Sequence, residues 1–250
     1  MINSEYYNIE KNELNHWWYK FLHYLVYSKI IKYKQGKHIK ILDAGCGTGG
    51  LMLFLQSKGF HNIFGVELSD LACNICKERN LNVIKSNITD IHNNFQFNNT
   101  DIIICNDILY FLNKNEQKNI IQNLGNILNK DGLIIINLPA FKSFRGIHDL
   151  SVSISERFTK KSFFKSFNCS GFLCAEVFYN YFLISALIFI KRYFQRCKML
   201  INKNFKIKSD LKPIPDFLNN FLFQINKFEN SYIKIKPFGS SLFIVLLKKY

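Results

Sequence analysis

Residues Ile39 to Gly50, reading I-K-I-L-D-A-G-C-G-T-G-G, constrain the fold more than any other stretch of the chain. An apolar run ends in an Asp and enters a glycine-rich turn. The run from Ile39 to Leu42 is predicted as a buried strand. The glycines allow a sharp turn and a close backbone approach to a ligand, where a Cβ would collide. Leu51 to Leu55 opens a helix that closes on Lys58-Gly59. A strand, a glycine-rich turn and a helix build a nucleotide pocket at the carboxyl end of a parallel sheet.

The alternation continues. Ser69-Asp70 caps a helix predicted to reach Arg79-Asn80, Leu81 to Lys85 is a short strand, and Ile88 to Asn99 is a polar loop. Asp101 to Cys105 has almost no polar face, as central parallel strands do. Asn113 with Glu116 makes a capping-box pattern. The helix it opens is apolar at Ile120, Ile121, Leu124, Ile127 and Leu128, one face at helical spacing. Asn129-Lys130-Asp131-Gly132 is predicted to stop it, before a buried strand from Leu133 to Leu138. Strands alternating with helices imply a parallel sheet with right-handed crossovers. The tail differs, because Phe172 to Phe178 and Ser241 to Lys248 read as strands separated by about sixty residues, far more than a hairpin needs.

The chain has 250 residues, 48% of them hydrophobic and 20% charged. That suffices for one sizeable core and an insertion, but hardly for a second full domain. Of the seven cysteines, Cys46, Cys105 and Cys174 lie in or beside predicted strands, which suits reduced, buried thiols. Cys73 and Cys76 form a C-x-x-C inside an amphipathic helix, and no second pair stands at zinc-site spacing, so no metal is expected. An odd cysteine count and no apparent signal peptide point to a reducing cytoplasm.

The net charge of +15 is unevenly placed. Residues 1–150 hold 16 Lys and Arg against 13 Asp and Glu, whereas residues 151–250 hold 17 against 5. Within that basic part, Tyr181 to Ile190 is nearly continuous apolar sequence, too short to span a bilayer. It runs into Lys191-Arg192-Tyr193-Phe194-Gln195-Arg196-Cys197-Lys198. An apolar helix leading into a cationic stretch suits an anionic membrane interface. It equally suits a helix packed on the domain as a lid, with a solvated basic end.

Two nucleotides compete for the glycine-rich turn. Gly45, Gly47 and Gly50 satisfy the dinucleotide fingerprint G-x-G-x-x-G, with Glu67 placed as the ribose-binding acid. The same residues resemble motif I of the class I S-adenosylmethionine methyltransferases, a strand followed by D-x-G-x-G-x-G, matched by Asp43, Gly45, Gly47 and Gly49. Asp43 decides between them. S-adenosyl-L-methionine carries an ammonium and a sulfonium, which a carboxylate stabilises, whereas a pyrophosphate would be repelled.

The resemblance covers residues 13–180 and implies a Rossmann-like seven-stranded sheet with helices on both faces. In such a fold the last two strands are antiparallel, which makes 179–238 a helical insertion between them. The expected division is an N-terminal cap segment at 1–36, a cofactor-binding core at 37–178, the insertion, and a last core strand at 239–250. By resemblance the cofactor is held by Asp43, Gly45, Cys46, Gly47, Glu67 (both ribose hydroxyls), Leu68 and Ile88 (the adenine sandwich), Asn87 and Asn106. Asn87 stands where the family usually has Asp. After the fourth strand, Tyr110 and Phe111 replace the usual Glu and His.

A narrower resemblance is to a bacterial type 11-like subgroup with an H-W-W-[FY] start, here His16-Trp17-Trp18-Tyr19. Leu138-Pro139-Ala140, His148-Asp149 and Arg157-Phe158-Thr159 continue the match, although Glu156 replaces one Arg. Such proteins are associated with cell-envelope glycan or lipid pathways. This implies methyl transfer to an O- or N-nucleophile of a small, lipid-linked or glycan-type acceptor. Such a transfer is an in-line displacement in which the enzyme aligns the reactants and excludes water. His148, after strand five and with an ordinary pKa near neutrality, is the candidate general base, and His16 a weaker one. A histidine satisfied structurally by Asp149 is the competing reading. Trp17 and Trp18 suit a lid over the cofactor or a core-packing helix. A DNA-modifying enzyme would need an N-P-P-Y-like motif where Asn106-Asp107-Ile108-Leu109 stands. RNA modification stays open without a recognisable RNA-binding module, as does a non-catalytic cofactor-binding module on the same fold.

Overall fold

The apolar run at Ile41–Ala44 forms β1, the centre of a seven-stranded sheet, in a computed structural model that describes residues 3–201, 211 and 214–249. The side chains of His148 and residues 198–201 lie outside that description. The other strands are β2 (Ile63–Glu67), β3 (Val83–Lys85), β4 (Thr100–Asn106), β5 (Leu128–Pro139), β6 (Phe172–Asn180) and β7 (Ser241–Lys248). Their order is β3-β2-β1-β4-β5-β7-β6. The first five are parallel, and β7 runs antiparallel between β5 and β6.

Both faces of the sheet are covered, and residue alternation sorts the strands between two apolar layers. Leu42, Ile103, Ile134, Ile136, Leu242 and Ile244 fill one layer. Ile41, Ile102, Ile104, Leu133, Ile135 and Val245 fill the other. This is why the central strands read as continuous apolar runs: both pleat faces are buried. The second layer is completed by α2 (Trp17–Tyr33), whose Phe21, Leu25, Val26 and Ile30 have no exposed surface. The segment expected to cap the site therefore also builds the core. Ahead of it, α1 (Asn3–Asn12) is polar, and only Glu5 in it is buried.

Local signals set most boundaries. The helix α3 (Gly50–Ser57) follows the glycine-rich turn, and α4 (Asp70–Glu78) is capped by Ser69, whose hydroxyl accepts from the Ala72 N–H. The capping box of α5 (Lys114–Ile127) is formed as expected between Asn113 and Glu116. The turn expected at 129–132 is instead absorbed into β5. Pairing with β4 jumps from Thr100–Leu128 to Ile102–Leu133, and Asp131 adopts φ +58°. Asn129 Nδ2 stitches this bulge to Asp101 Oδ1 at 2.8 Å and to the Asn99 carbonyl at 3.0 Å. Leu128, read as part of the helical face, begins the strand.

After β5 come the short α6 (Ile147–Ser151) and α7 (Lys160–Ser166). Between β6 and β7 lie α8 (Phe182–Ile201) and α9 (Asp216–Tyr232), the helical insertion. Helix α9 packs along α2, and α8 packs on residues 142–151. Glu229, fully buried on α9, accepts from the Leu183 N–H at 3.0 Å and so caps α8. Its other oxygen lies 3.4 Å from Lys236 Nζ, a buried ion pair. No helix among the described residues is long and apolar enough to cross a membrane.

Candidate active site

Strand order reverses direction between β1 and β4, and doubly wound sheets leave a crevice beyond the carboxyl ends at such a point. A cavity of about 830 Å³ occupies this position. The turn after β1, the end of β2 and helix α1 wall one half. The ends of β4 and β5, residues 144–157 and α8 wall the other.

The glycine-rich turn is fixed by backbone bonds. The N–H groups of Gly45 and Cys46 both donate to the Val66 carbonyl, at 2.7 and 3.0 Å. Gly49 starts α3 with φ +88°, and a Cβ there would lie 2.3 Å from Leu81 Cδ1. Glu67 ties β2 to the turn: its Oε2 accepts from the Gly47 N–H at 3.1 Å, and its Oε1 from the Leu68 and Ser69 N–H groups at 2.9 Å.

Every residue expected to hold the cofactor faces this one cavity. Asp43, Gly45, Cys46 and Gly47 come from β1 and its turn, and Glu67 and Leu68 from the end of β2. Asn87 and Ile88 follow β3, and Asn106 ends β4. Asn87 Oδ1 already accepts from the Thr89 N–H at 3.2 Å, which leaves one lone pair. Asn106 Oδ1 is buried without a partner.

The electrostatics of this half are unusual for so basic a chain. Asp43 is 3% exposed and has no ion pair among the described residues. Burial, and then the neighbouring carboxylates of Glu13 and Glu67, push its pKa up to about 7. A buried carboxyl between two others is a receptor for a cation. The unpartnered Asn106 oxygen adds an acceptor for an ammonium donor. The residues present therefore fit a cationic nucleotide and oppose a pyrophosphate.

Glu13, just beyond α1, is a site residue that the sequence reading passed over. Its Oε1 accepts from Thr48 Oγ1 at 2.7 Å and from Arg79, and its Oε2 from the Gly50 N–H at 3.0 Å. A Cβ on Gly50 would sit 2.3 Å from that Oε2. Burial raises the Glu13 pKa, while the bonds to Thr48, Arg79 and Gly50 lower it in part. The only sequence signal was an isolated acid before an aromatic cluster.

Trp17 and Trp18 also line the cavity. Both pack on Tyr181, Trp18 stacked at 6.0 Å and Trp17 edge-on at 5.8 Å. They wall the pocket and join the core at once. His16 lines the cavity too, but the Trp18 N–H points at its Nδ1 at 3.4 Å. Burial, and then nearby Lys191, lower its pKa to about 4.

In the other half, Asp107 stands at the end of β4 with φ +53°. Asn137 of β5 holds it twice: Asn137 Nδ2 donates to Asp107 Oδ2 at 2.9 Å, and the Asp107 N–H donates to the Asn137 carbonyl at 2.9 Å. Burial pushes the Asp107 pKa up to about 7 against the lowering pull of Asn137 and Arg157. The H-D and R-F-T residues meet as a fork. Arg157 Nε and Nη2 bind Asp149 at 2.6 and 3.0 Å, and Nη1 binds the Ala140 carbonyl at 2.9 Å. Asp149 is thus committed to Arg157. His148 lies in α6, with its side chain outside the described residues.

Comparison with known proteins places this arrangement. Residues 41–132 match the family described as a methyltransferase domain. A relative from Geobacillus sp. (strain WCH70), whose name carries a provisional methyltransferase assignment, is 27% identical over 119 residues, 45% of this chain and 47% of its own. The chain spans about half the length of the curated relatives it matches. Among solved structures, a SAM-dependent methyltransferase from Archaeoglobus fulgidus matches with TM-score 0.56 at 16% identity, over 90% of this chain and 94% of that one. A chain of the complex between the Haloferax volcanii Trm112 methyltransferase activator and a provisionally assigned methyltransferase matches with TM-score 0.60 at 14% identity, over 99% and 94%. The fold is that of the class I S-adenosylmethionine-dependent methyltransferases, and residues 41–132 match a methyltransferase domain.

Proposed function

We propose that the protein transfers the methyl group of S-adenosylmethionine to an oxygen or nitrogen of an anionic, partly apolar acceptor of the lipid-linked or glycan type. The observation that carries the cofactor is Asp43, buried beside Glu13 and Glu67 with no ion pair of its own among the described residues. Asp43 and the Asn106 oxygen would hold the ammonium end. Glu67 would take the ribose hydroxyls with its remaining lone pairs, and Leu68 and Ile88 would enclose the adenine. When bound, the cofactor supplies a methyl carbon on a sulfonium leaving group.

The chain's own work is alignment, desolvation and proton removal. Trp17, Trp18 and Glu13 close the cofactor half against water. Asp107 sits at the junction of the two halves, locked by Asn137, and its pKa near 7 suits a base that takes the acceptor's proton. On this reading the base is Asp107, just past β4, and His148 is the competing position. The acceptor half sets apolar Phe144, Val152, Ile154 and Ile188 beside cationic Lys191 and Arg192, while the charge of Arg157 is answered by Asp149. That mixture favours an anionic group joined to an apolar body.

Titration calorimetry of the full chain with S-adenosylmethionine and with NADH tests the cofactor. Preference for S-adenosylmethionine, lost in Asp43→Asn, is expected. Tighter binding of NADH would restore the dinucleotide reading and overturn this one.

A further inference from the structure

The insertion helices carry more exposed apolar surface than folding of this chain uses. On α8, Leu183, Leu187, Ile190 and Phe194 recur at spacings of four, three and four residues, which puts them on one face. All four are exposed, Leu187 and Phe194 by about two thirds (68% and 66%). The opposite face of the same helix is the one in use. Ile184 and Ser185 are buried there, and Ile188, Lys191 and Arg192 line the cavity. Helix α9 repeats the pattern. Its inner face buries Asn219, Asn226 and Glu229, while Phe217, Phe221, Phe228 and Tyr232 point outward, Phe217 at 77% exposure. The two helices touch, and Glu229 joins them. Ordinary monomer surfaces scatter single apolar residues and do not align them in stripes on neighbouring helices.

Charge selects the occupant. From residue 177 to 209 the sequence has seven Lys and Arg and no Asp or Glu. A second copy of the chain would bring another stretch of the same sign alongside this one, which opposes self-association. An anionic surface with an apolar interior matches both properties at once: aromatic and aliphatic side chains enter the headgroup boundary, and the net positive charge of the stretch favours anionic lipid. No described helix is long and apolar enough to span, so a bilayer contact through α8 and α9 would have the helices lying in the interface.

We propose that the outer faces of α8 and α9 dock on an anionic lipid bilayer. Docking by the outer face would leave the opposite face of α8, where Lys191 and Arg192 line the acceptor half of the cavity, turned toward the domain. An apolar crevice of about 300 Å³ lies under α8 between Phe141, Phe144, Ala186, Phe189 and Phe238, and Phe144 also lines the main cavity. This gives an acyl chain a place beside the acceptor site. The docking claim stands apart from the methyl-transfer reading, because it is measured without cofactor.

The test is co-sedimentation of the full chain with phosphatidylcholine vesicles, with and without phosphatidylglycerol, at low and high salt. Pelleting only with phosphatidylglycerol is expected, weakened roughly tenfold or more by high salt. The double variant Leu187→Asp/Phe194→Asp should stay in the supernatant, with unchanged circular dichroism and unchanged S-adenosylmethionine affinity. Phe221→Asp/Phe228→Asp on α9 is the second, independent variant, and the same loss is expected. Equal pelleting with neutral vesicles, or pelleting that survives both variants, would overturn the proposal. So would a chain that ignores both vesicle types. A concentration-dependent dimer dissolved by the same variants would assign the stripes to a second copy and likewise overturn it.

Discussion

Glu13 accepts the backbone N–H of Gly50 at 3.0 Å across 37 residues of sequence. A carboxylate outside the nucleotide-binding unit thereby caps the helix that follows the glycine-rich turn. Helix N-termini carry unpaired donors and favour a negative charge. Here that role belongs to the N-terminal segment and not to a phosphate. The same carboxylate takes the Thr48 hydroxyl and Arg79, so the segment is latched to the cofactor turn from both sides.

Glu13→Ala should therefore release the N-terminal segment. It strands the Thr48 hydroxyl and the Gly50 N–H and removes the carboxylate from Arg79, which keeps the Thr48 and Glu10 carbonyls, a loss of roughly 2–3 kcal/mol. Limited proteolysis should cut before residue 17 much faster than in the parent chain. S-adenosylmethionine affinity should fall with it, because Tyr6 and Ile9 of α1 also wall the pocket. Unchanged proteolysis would mean that the latch is dispensable.

Asp43 predicts a pH dependence of cofactor binding. Its pKa stands at about 7 against an ordinary 3.8, so the folded chain holds this proton more tightly than the unfolded one. Its burial therefore weighs increasingly against folding as pH rises from about 4 to 7. A cationic ligand reverses the sign, since it binds the ionised form. Affinity should drop roughly thirtyfold between pH 8 and pH 5.5, following the ionised fraction. The ligand-induced rise in melting temperature should shrink in step. Asp43→Asn should flatten both profiles and weaken binding by about 2–4 kcal/mol.

The two candidate bases separate by rate. With labelled cofactor and lipid or glycan fractions as acceptor, Asp107→Asn should lower turnover roughly a hundredfold or more while cofactor affinity holds. At saturating cofactor, where the Asp43 effect on binding drops out, the acidic limb of the kcat profile, expected near pH 7, should vanish with it. His148→Ala should keep that limb. The reverse pattern would move the base to His148. His16, lowered to about 4, is neutral throughout this range.

Glu229 tests what holds the insertion. Glu229→Ala leaves Lys236 buried and unpaired and the α8 N-terminus uncapped, which should cost roughly 3–5 kcal/mol. Thermal melting should fall by about 10 °C for a chain of this size. Glu229→Gln keeps an acceptor for the Leu183 N–H and should lose distinctly less.

Much of this fold was legible because its signals are local. Buried parallel strands read as apolar runs, capping residues mark helix starts, and the glycines of one turn stand together in sequence, although the side chains they make room for, Leu81 and Glu13 among them, come from elsewhere. The same locality explains the misplaced end of α5. Asn129-Lys130-Asp131-Gly132 has turn chemistry, and only its bonds to Asp101 and Asn99 on the neighbouring strand make it a bulge inside β5. Asp107 was passed over for a related reason. Nothing in Asn106-Asp107-Ile108 announces that Asn137, 30 residues on, will pin that carboxylate beside the cavity.

The sequence by itself determined the alternating architecture, the glycine-rich turn after β1, and those cavity-lining residues that end or follow strands β1 to β4 in the motif pattern, because each depends on spacing along one or two elements. Only the tertiary structure decided how those residues are charged and which face of each helix is left over. Asp43 rises to about 7 because the fold buries it and because Glu13 and Glu67 converge on it from distant parts of the chain. Helix α8 is apolar on both sides in sequence, and packing against residues 142–151 consumes only one of them. Proximity and burial are properties of the folded arrangement, and a linear pattern carries neither.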